Sequence, residues 1–432
     1  MQAMLAFENA PPFAAPLRFF LTAPLFAVLA GLLVAIEGPD IFASRWTPGA
    51  LAVTHLITIG FMLQVMLGAL IQILPVVAGA NLKNPVAVAR LVNVGHSLWA
   101  LQQATGFMTG MPNLLGSAAI ILTLTVLLFL VAAVVALIGV PSTSPTIRGI
   151  KFALLGLAGV AGLGALLALS LAYGWSVPLM ALADLHAGWG LGGWAGVLLA
   201  AMAYVVVPMF QLTPGYPARS SWWFPIFMLA MLLLWSAALL ADWPWLARFG
   251  QLGAALAGIA FAGLTLRLQG KRRRARPDVT YGYWQLGLVA SIFALFLLST
   301  VAVWPAAADI DGWTLTFGVL LVAGGFLPFI TGMLYKIIPF LSWMHLQNGG
   351  QAKVPAPAMN KILSESEMKP QMRAYMVALV LLLAAIFFPS WLARPAGLAF
   401  ALANGWLWWN LACAIRRYRH HLADMQAKLA AL

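Results

Sequence analysis

The chain has 432 residues, 63% of them hydrophobic and only 8% charged, with a formal net charge of +13. Its mean hydropathy is +0.93. Soluble domains carry about 25% charged residues, so composition excludes a soluble enzyme. Apolar runs of about 20 residues recur along the whole length, as in a polytopic α-helical protein of the lipid bilayer. The single cysteine, Cys413, excludes an internal disulfide and a thiolate cluster.

Taken in chain order, the first apolar run follows a segment with Glu8 and several prolines. It has no basic start and no small-residue cleavage site, so it reads as a retained helix. Twelve spans are predicted, at roughly 17–37, 49–76, 86–109, 113–139, 149–173, 179–210, 221–241, 247–268, 282–304, 311–341, 371–389 and 394–416. Pro75, Pro208 and Pro339 close spans two, six and ten at intervals of 133 and 131 residues. Gly60, Gly193 and Gly324 lie 15 positions before these prolines, and Gly68, Ala201 and Gly332 lie 7 before. Tyr204 and Tyr335 stand 4 before the second and third, where the first has Ile71. A fixed period implies repeated architecture. The expectation is an all-α membrane domain, 1–432, of three pseudo-repeats of four helices, about 17–140, 149–268 and 282–416. Small residues eight apart on one helix face let helices approach closely, and a proline breaks a helix near its end.

Charge sets the expected orientation. With both termini cytoplasmic, every Lys and Arg of the 24 falls inside except Arg45, Arg248 and Arg394. The inner set includes the run Arg267, Lys271, Arg272, Arg273, Arg274, Arg276 and the tail Arg416, Arg417, Arg419. The basic balance therefore reads as topology in a bacterial-type inner membrane, against anionic lipid, and not as nucleic-acid binding. The outer face holds Glu37, Asp40, Asp184, Asp242, Asp309 and Asp311; it has few positive charges, and would also suit a basic carrier such as a cytochrome c. The longest connection, 342–370, is a cytoplasmic loop that serves as a linker or as a docking segment. Nine tryptophans at predicted span ends, Trp175 to Trp391, form an interfacial belt.

Polar groups inside spans are costly in lipid and so informative. No Asp or Glu lies at mid-depth, which argues against a proton pump. His55, His96 and His186 are intramembrane, and His345 lies at the inner end of span ten. His55 is 20 residues before Pro75 and His186 22 before Pro208, or ~30 and ~33 Å above the inner prolines. Both therefore stand near the outer third, at nearly one level, while His96 lies deeper. Each also has a purely structural reading, a hydrogen bond between helices: Asn93 and Gln103 are candidate partners for His96, and Asp184 for His186.

Spans in three four-helix arcs, with histidines near the outer ends of spans two and six, resemble subunit I of the haem–copper oxidase superfamily. The runs THLITIGFMLQVMLGALIQILPV (54–76), LHAGWGLGGWAGVLLAAMAYVVVPMF (185–210) and GMLYKIIPFLSW (332–343) are similar to short cbb-type relatives and to the NnrS group of haem- and copper-containing membrane proteins. The resemblance implies that His55 matches the low-spin haem ligand and His186 the copper ligand. Span seven, SWWFPIFMLAMLLLWSAALL, has none of the copper histidines the family places there. The proline register puts Phe317 and Val319 where span ten would carry haem ligands. One histidine is not a copper site, and a six-coordinate haem needs two axial ligands. Oxidase or nitric oxide reductase chemistry is therefore not expected, and no catalytic residue is assigned. His55 would hold one haem b alone, or His55 and His186 would converge or reach one haem from two sides; separately, Met62 and Met66 would complete a soft copper site beside His55, or are ordinary apolar filler. The implied role is accessory: haem or metal handling, a gas-related function, or association with a respiratory complex. A permease for a small neutral solute and a cofactor-free structural subunit are the alternatives.

Overall fold

The computed structural model describes residues 6–273, 275–351 and 353–431; Arg274 of the basic run and Ala352 of the long connection lie outside them. Among the described residues the secondary structure is entirely helical. Twelve long helices follow one another: α1 Ala14–Glu37, α2 Pro48–Ala78, α3 Pro85–Thr109, α4 Pro112–Leu137, α5 Pro145–Tyr173, α6 Leu179–Gln211, α7 Ala218–Leu240, α8 Pro244–Gly270, α9 Val279–Val303, α10 Trp313–Gly349, α11 Glu365–Phe387 and α12 Pro389–Ala430. Six of them, α2, α3, α4, α5, α8 and α12, begin with proline at the first position. There the missing N–H costs nothing and the fixed φ suits the helix. Side chains of Thr47, Ser144 and Asp278 accept from free N–H groups at the starts of α2, α5 and α9.

Eleven of the twelve helices are long and apolar enough to cross a membrane; the exception is α3. Its polarity is spent inside the protein. Asn93 donates to the Gln64 side chain of α2 at 3.1 Å, Gln64 donates to Ser97 at 3.0 Å, and Gln102 donates to Ser117 of α4 at 2.6 Å. The outward faces of the bundle carry large apolar side chains such as Leu124, Phe293, Phe296 and Leu402. Trp175, Trp243, Trp245, Trp304 and Trp391 are exposed at helix ends. The chain is a polytopic membrane protein whose outer surface is built for lipid.

Three helices lie at the centre. The most apolar window is 83% buried in α2, 56% in α6 and 67% in α10, against 22–28% in α4, α5, α7, α8 and α9. Each central helix contains an eight-residue π-helical segment: Leu56–Leu63, Trp189–Gly196 and Val319–Phe326. Each segment meets the preceding long helix at a small residue. A Cβ at Gly60 would enter the Phe26 ring of α1, and one at Gly324 would lie 2.9 Å from Ala290 of α9. In α6 the partner helix carries the glycine, Gly156 of α5 against the Gly193 backbone. The second small position repeats the arrangement, with Gly68 against Phe19, Ala201 against Gly149 and Gly332 against Tyr283. α1 and α12 cross at Gly31 and Gly397, so the last helix returns to the first.

Two expectations need correcting. Pro75 and Pro208 lie inside their helices, which continue three residues to Ala78 and Gln211, and α10 runs ten residues past Pro339 to Gly349. A proline removes one N–H and the helix passes through it when neighbouring bonds hold. The connection predicted at 342–370 shrinks accordingly, since α10 covers its beginning and α11 starts at Glu365. Ser364 and Glu367 form a capping box at the start of α11. Arg417 of α12 pairs with Glu367 at 2.6 Å and also donates to the Ile362 carbonyl, tying the connection to the long last helix.

Candidate functional site

The π segments of α2 and α6 start 19 residues before Pro75 and Pro208 respectively, so both helices change pitch at the same height. His55 immediately precedes the first segment, and His186 stands three residues before the second. The shared pitch change cancels in any comparison of the two, which is why equal depth survives it. The structure brings the two rings together: their centres are 6.3 Å apart and their planes differ by 18°.

Each imidazole is held by its Nδ1. In His55 this atom donates to the Leu51 carbonyl one turn back at 2.7 Å. In His186 it donates across to the Val160 carbonyl of α5 at 3.1 Å. A carbonyl only accepts, so the proton resides on Nδ1 and the Nε2 lone pair of each ring stays available. Donation of the second ring N–H to a carbonyl is the usual support for a metal-binding histidine. Phe107 of α3 packs on His55 with ring centres 5.1 Å apart. Gly164 of α5 makes the space for His186: a Cβ there would lie 2.9 Å from the imidazole Cε1.

The remaining candidate groups fall elsewhere. Asp184 pairs with Arg45 at 2.8 Å and does not serve His186. His96 is fully buried, with Nδ1 on the Val92 carbonyl at 2.9 Å, Trp99 against its ring, and Nε2 without a partner. Asn93 bonds to Gln64, and Gln103 to Trp99, instead of to His96. Met62 and Met66 are buried, at 3% and 7% exposure. The i→i+5 bonding between Leu56 and Leu63 resets the turn, so offsets of 7 and 11 residues no longer define the face of His55. Phe317 stacks on Trp313, and Val319 opens the third π segment. Among the described residues no group of three or more His, Cys, Asp or Glu is placed to hold a metal ion.

Tyr335 lies in a buried network around Gln371. Tyr283 and Tyr335 donate to its Oε1 at 2.6 and 3.0 Å, and Asn410 donates to the Tyr335 hydroxyl at 2.9 Å. Tyr204 packs against the rings of Tyr216 and Phe261. Lys336 pairs with Asp278 at 3.0 Å.

Sequence reading missed Val160, Gly164 and Phe107. They lie 105, 109 and 52 positions from His55 and carry no chemical label; only the packing of α3 and α5 on α2 and α6 gives them a role. In comparisons with known proteins, no family model matches the chain and no curated protein matches it.

Proposed function

We propose that this chain is a multi-pass haem-binding membrane protein related to oxidase subunit I, in which His55 and His186 would hold one haem b. The observation that carries the reading is the pair of nearly parallel imidazoles 6.3 Å apart. Two imidazoles this close, each with an uncommitted Nε2, would suit one metal ion. The donor chemistry fits as well, since both Nδ1 protons are committed to carbonyls and Gly164 leaves room for one ring.

A haem held there would supply one-electron transfer. The chain's own part is to fix both rings by their Nδ1 bonds, set the ligand spacing through α2 and α6, and exclude lipid with Phe107. Such a protein is accessory, handling haem or relaying electrons beside a respiratory complex, with the site near the outer face of a bacterial-type inner membrane. The three π segments, at residues 56, 189 and 319, and their close contacts with α1, α5 and α9 support a threefold repeat of four helices.

The test is an oxidised and dithionite-reduced absorption spectrum of the purified full-length protein, with metal analysis. The wild type is expected to carry about one haem per chain with sharp low-spin bands on reduction. His55→Ala and His186→Ala should each abolish the low-spin bands. Stoichiometric copper without haem would move the proposal to a bis-imidazole cuprous site. Neither haem nor copper after expression with ample haem supply would sink both. It would favour the second reading, passage of a small neutral solute, which draws on the cavity between α6 and α10.

A further inference from the structure

A cavity of about 490 Å³ lies between α6, α7, α8, α9 and α10, within the usual range for ligand pockets. No histidine lines it, so it is separate from the His55–His186 pair. Its body is apolar, with Leu199, Met228, Leu232, Leu295, Phe326 and Phe329 among the walls. The π segment of α6 turns Gly192 and Gly196 towards it, so the backbone itself forms part of the wall.

Its charged lining residues stand at one end, near the starts of α6 and α8, and Ser291 adds a hydroxyl midway along α9. Arg45 and Asp184 line the cavity and neutralise each other in their ion pair. Arg248 also lines it, is exposed, and has no ion-pair partner among the described residues. Trp313 lines it too, and its indole N–H is buried without an acceptor. Gln251 and Thr314 complete this end. The lining therefore carries one uncancelled positive unit and one unsatisfied N–H, a combination that suits an anionic oxygen acceptor. Apolar walls around a cavity of this size suit an acyl chain.

We propose that this cavity binds a long-chain carboxylate, a free fatty acid, with its head drawn to Arg248 and Trp313 and its tail between α6 and α10. The head group separates this occupant from an intact phospholipid, which would present the same acyl chain behind a phosphodiester.

The test is photolabelling of the full-length protein in nanodiscs with a photoreactive palmitic acid analogue, competed by palmitic acid, hexadecanol or phosphatidylglycerol. Saturable labelling at about one per chain is expected, mapped to peptides of α6 to α10. Palmitic acid should compete at least tenfold better than hexadecanol. Arg248→Ala, at an exposed position, should weaken binding about tenfold, the equivalent of one charge-assisted hydrogen bond. Gly192→Leu fills the space: a Cβ there is in ordinary contact with Leu232 at 3.5 Å, and a longer side chain enters the cavity. It should abolish labelling. Equal competition by hexadecanol, stronger competition by phosphatidylglycerol, labelling scattered over the lipid-facing helices, or unchanged binding in both variants would each overturn the proposal.

Discussion

An imidazole buried among helices must place two ring nitrogens, and how it does so separates the three intramembrane histidines. His55 and His186 each commit Nδ1 to a carbonyl and lie with ring centres 6.3 Å apart, Nε2 uncommitted. His96 also commits Nδ1 to its own helix, but its Nε2 is buried against Trp99 with no second imidazole near it. The His55–His186 spacing depends on Gly164, because any side chain there meets the His186 ring. Gly164→Ala would overpack this point at a cost of about 1–3 kcal/mol, relieved by displacing the imidazole. The bundle should remain folded while haem or metal content falls several-fold and the low-spin bands broaden or vanish. Size-exclusion behaviour and helical circular dichroism measured beside the spectrum separate this from unfolding. An unchanged spectrum in Gly164→Ala would remove His186 from the site.

At the scale of the element, the three π segments have identifiable local causes. At the start of the first, Thr54, His55 and Thr58 each bond a carbonyl four residues back, in competition with the helical ladder. The second contains Gly190, Gly192, Gly193 and Gly196, all poor helix formers. The third contains Gly324 and Gly325 and precedes Pro328. A five-residue bond to the Ala323 carbonyl would need the N–H of residue 328, which proline lacks. The Tyr375 hydroxyl of α11 donates to that carbonyl at 2.6 Å. Tyr375→Phe should therefore cost about 1–3 kcal/mol by stranding a buried acceptor, and lower the Tm by about 1–4 °C. Tyr283→Phe should cost less, because Gln371 Oε1 keeps its bond from Tyr335. Thermal unfolding of the two variants in one detergent checks the order, and the reverse order would remove Tyr375 as support for the π segment.

For the whole molecule, charge asymmetry and packing divide the labour. The Lys and Arg bias concerns only which side each loop occupies. A fluorescent protein fused after Leu432 should therefore glow, whereas alkaline phosphatase fused there should be inactive. The same enzyme inserted within Pro305–Asp309, between α9 and α10, should be active. Opposite readings would reverse the proposed orientation. Packing decides what the bundle encloses. α2, α6 and α10 are drawn to the centre, and helix crossings through glycine and alanine bring them close to α1, α5 and α9. The pair of histidines and the cavity both follow from this centring, yet on different sides of α6.

Hydropathy alone determined that the chain is an all-helical membrane protein, because lipid permits only segments that satisfy their own backbone. It also marked twelve segments that correspond to the twelve long helices, although α3 looks too polar by itself because its amides and hydroxyls pair with α2 and α4. The proline period located His55 and His186 at one height, since rise per residue is a local property. Whether two side chains at one height touch is set by helix rotation and by which helices are neighbours, and neither is encoded within a single span. The π segments lay hidden for a related reason: a pitch change of one hydrogen bond leaves no mark on hydrophobicity. Only the tertiary structure could decide that the two imidazoles lie 6.3 Å apart, that Asp184 belongs to Arg45, and that an apolar cavity lined by Arg248 opens between α6 and α10. Each is a contact between helices whose order in the chain does not dictate their place in the bundle.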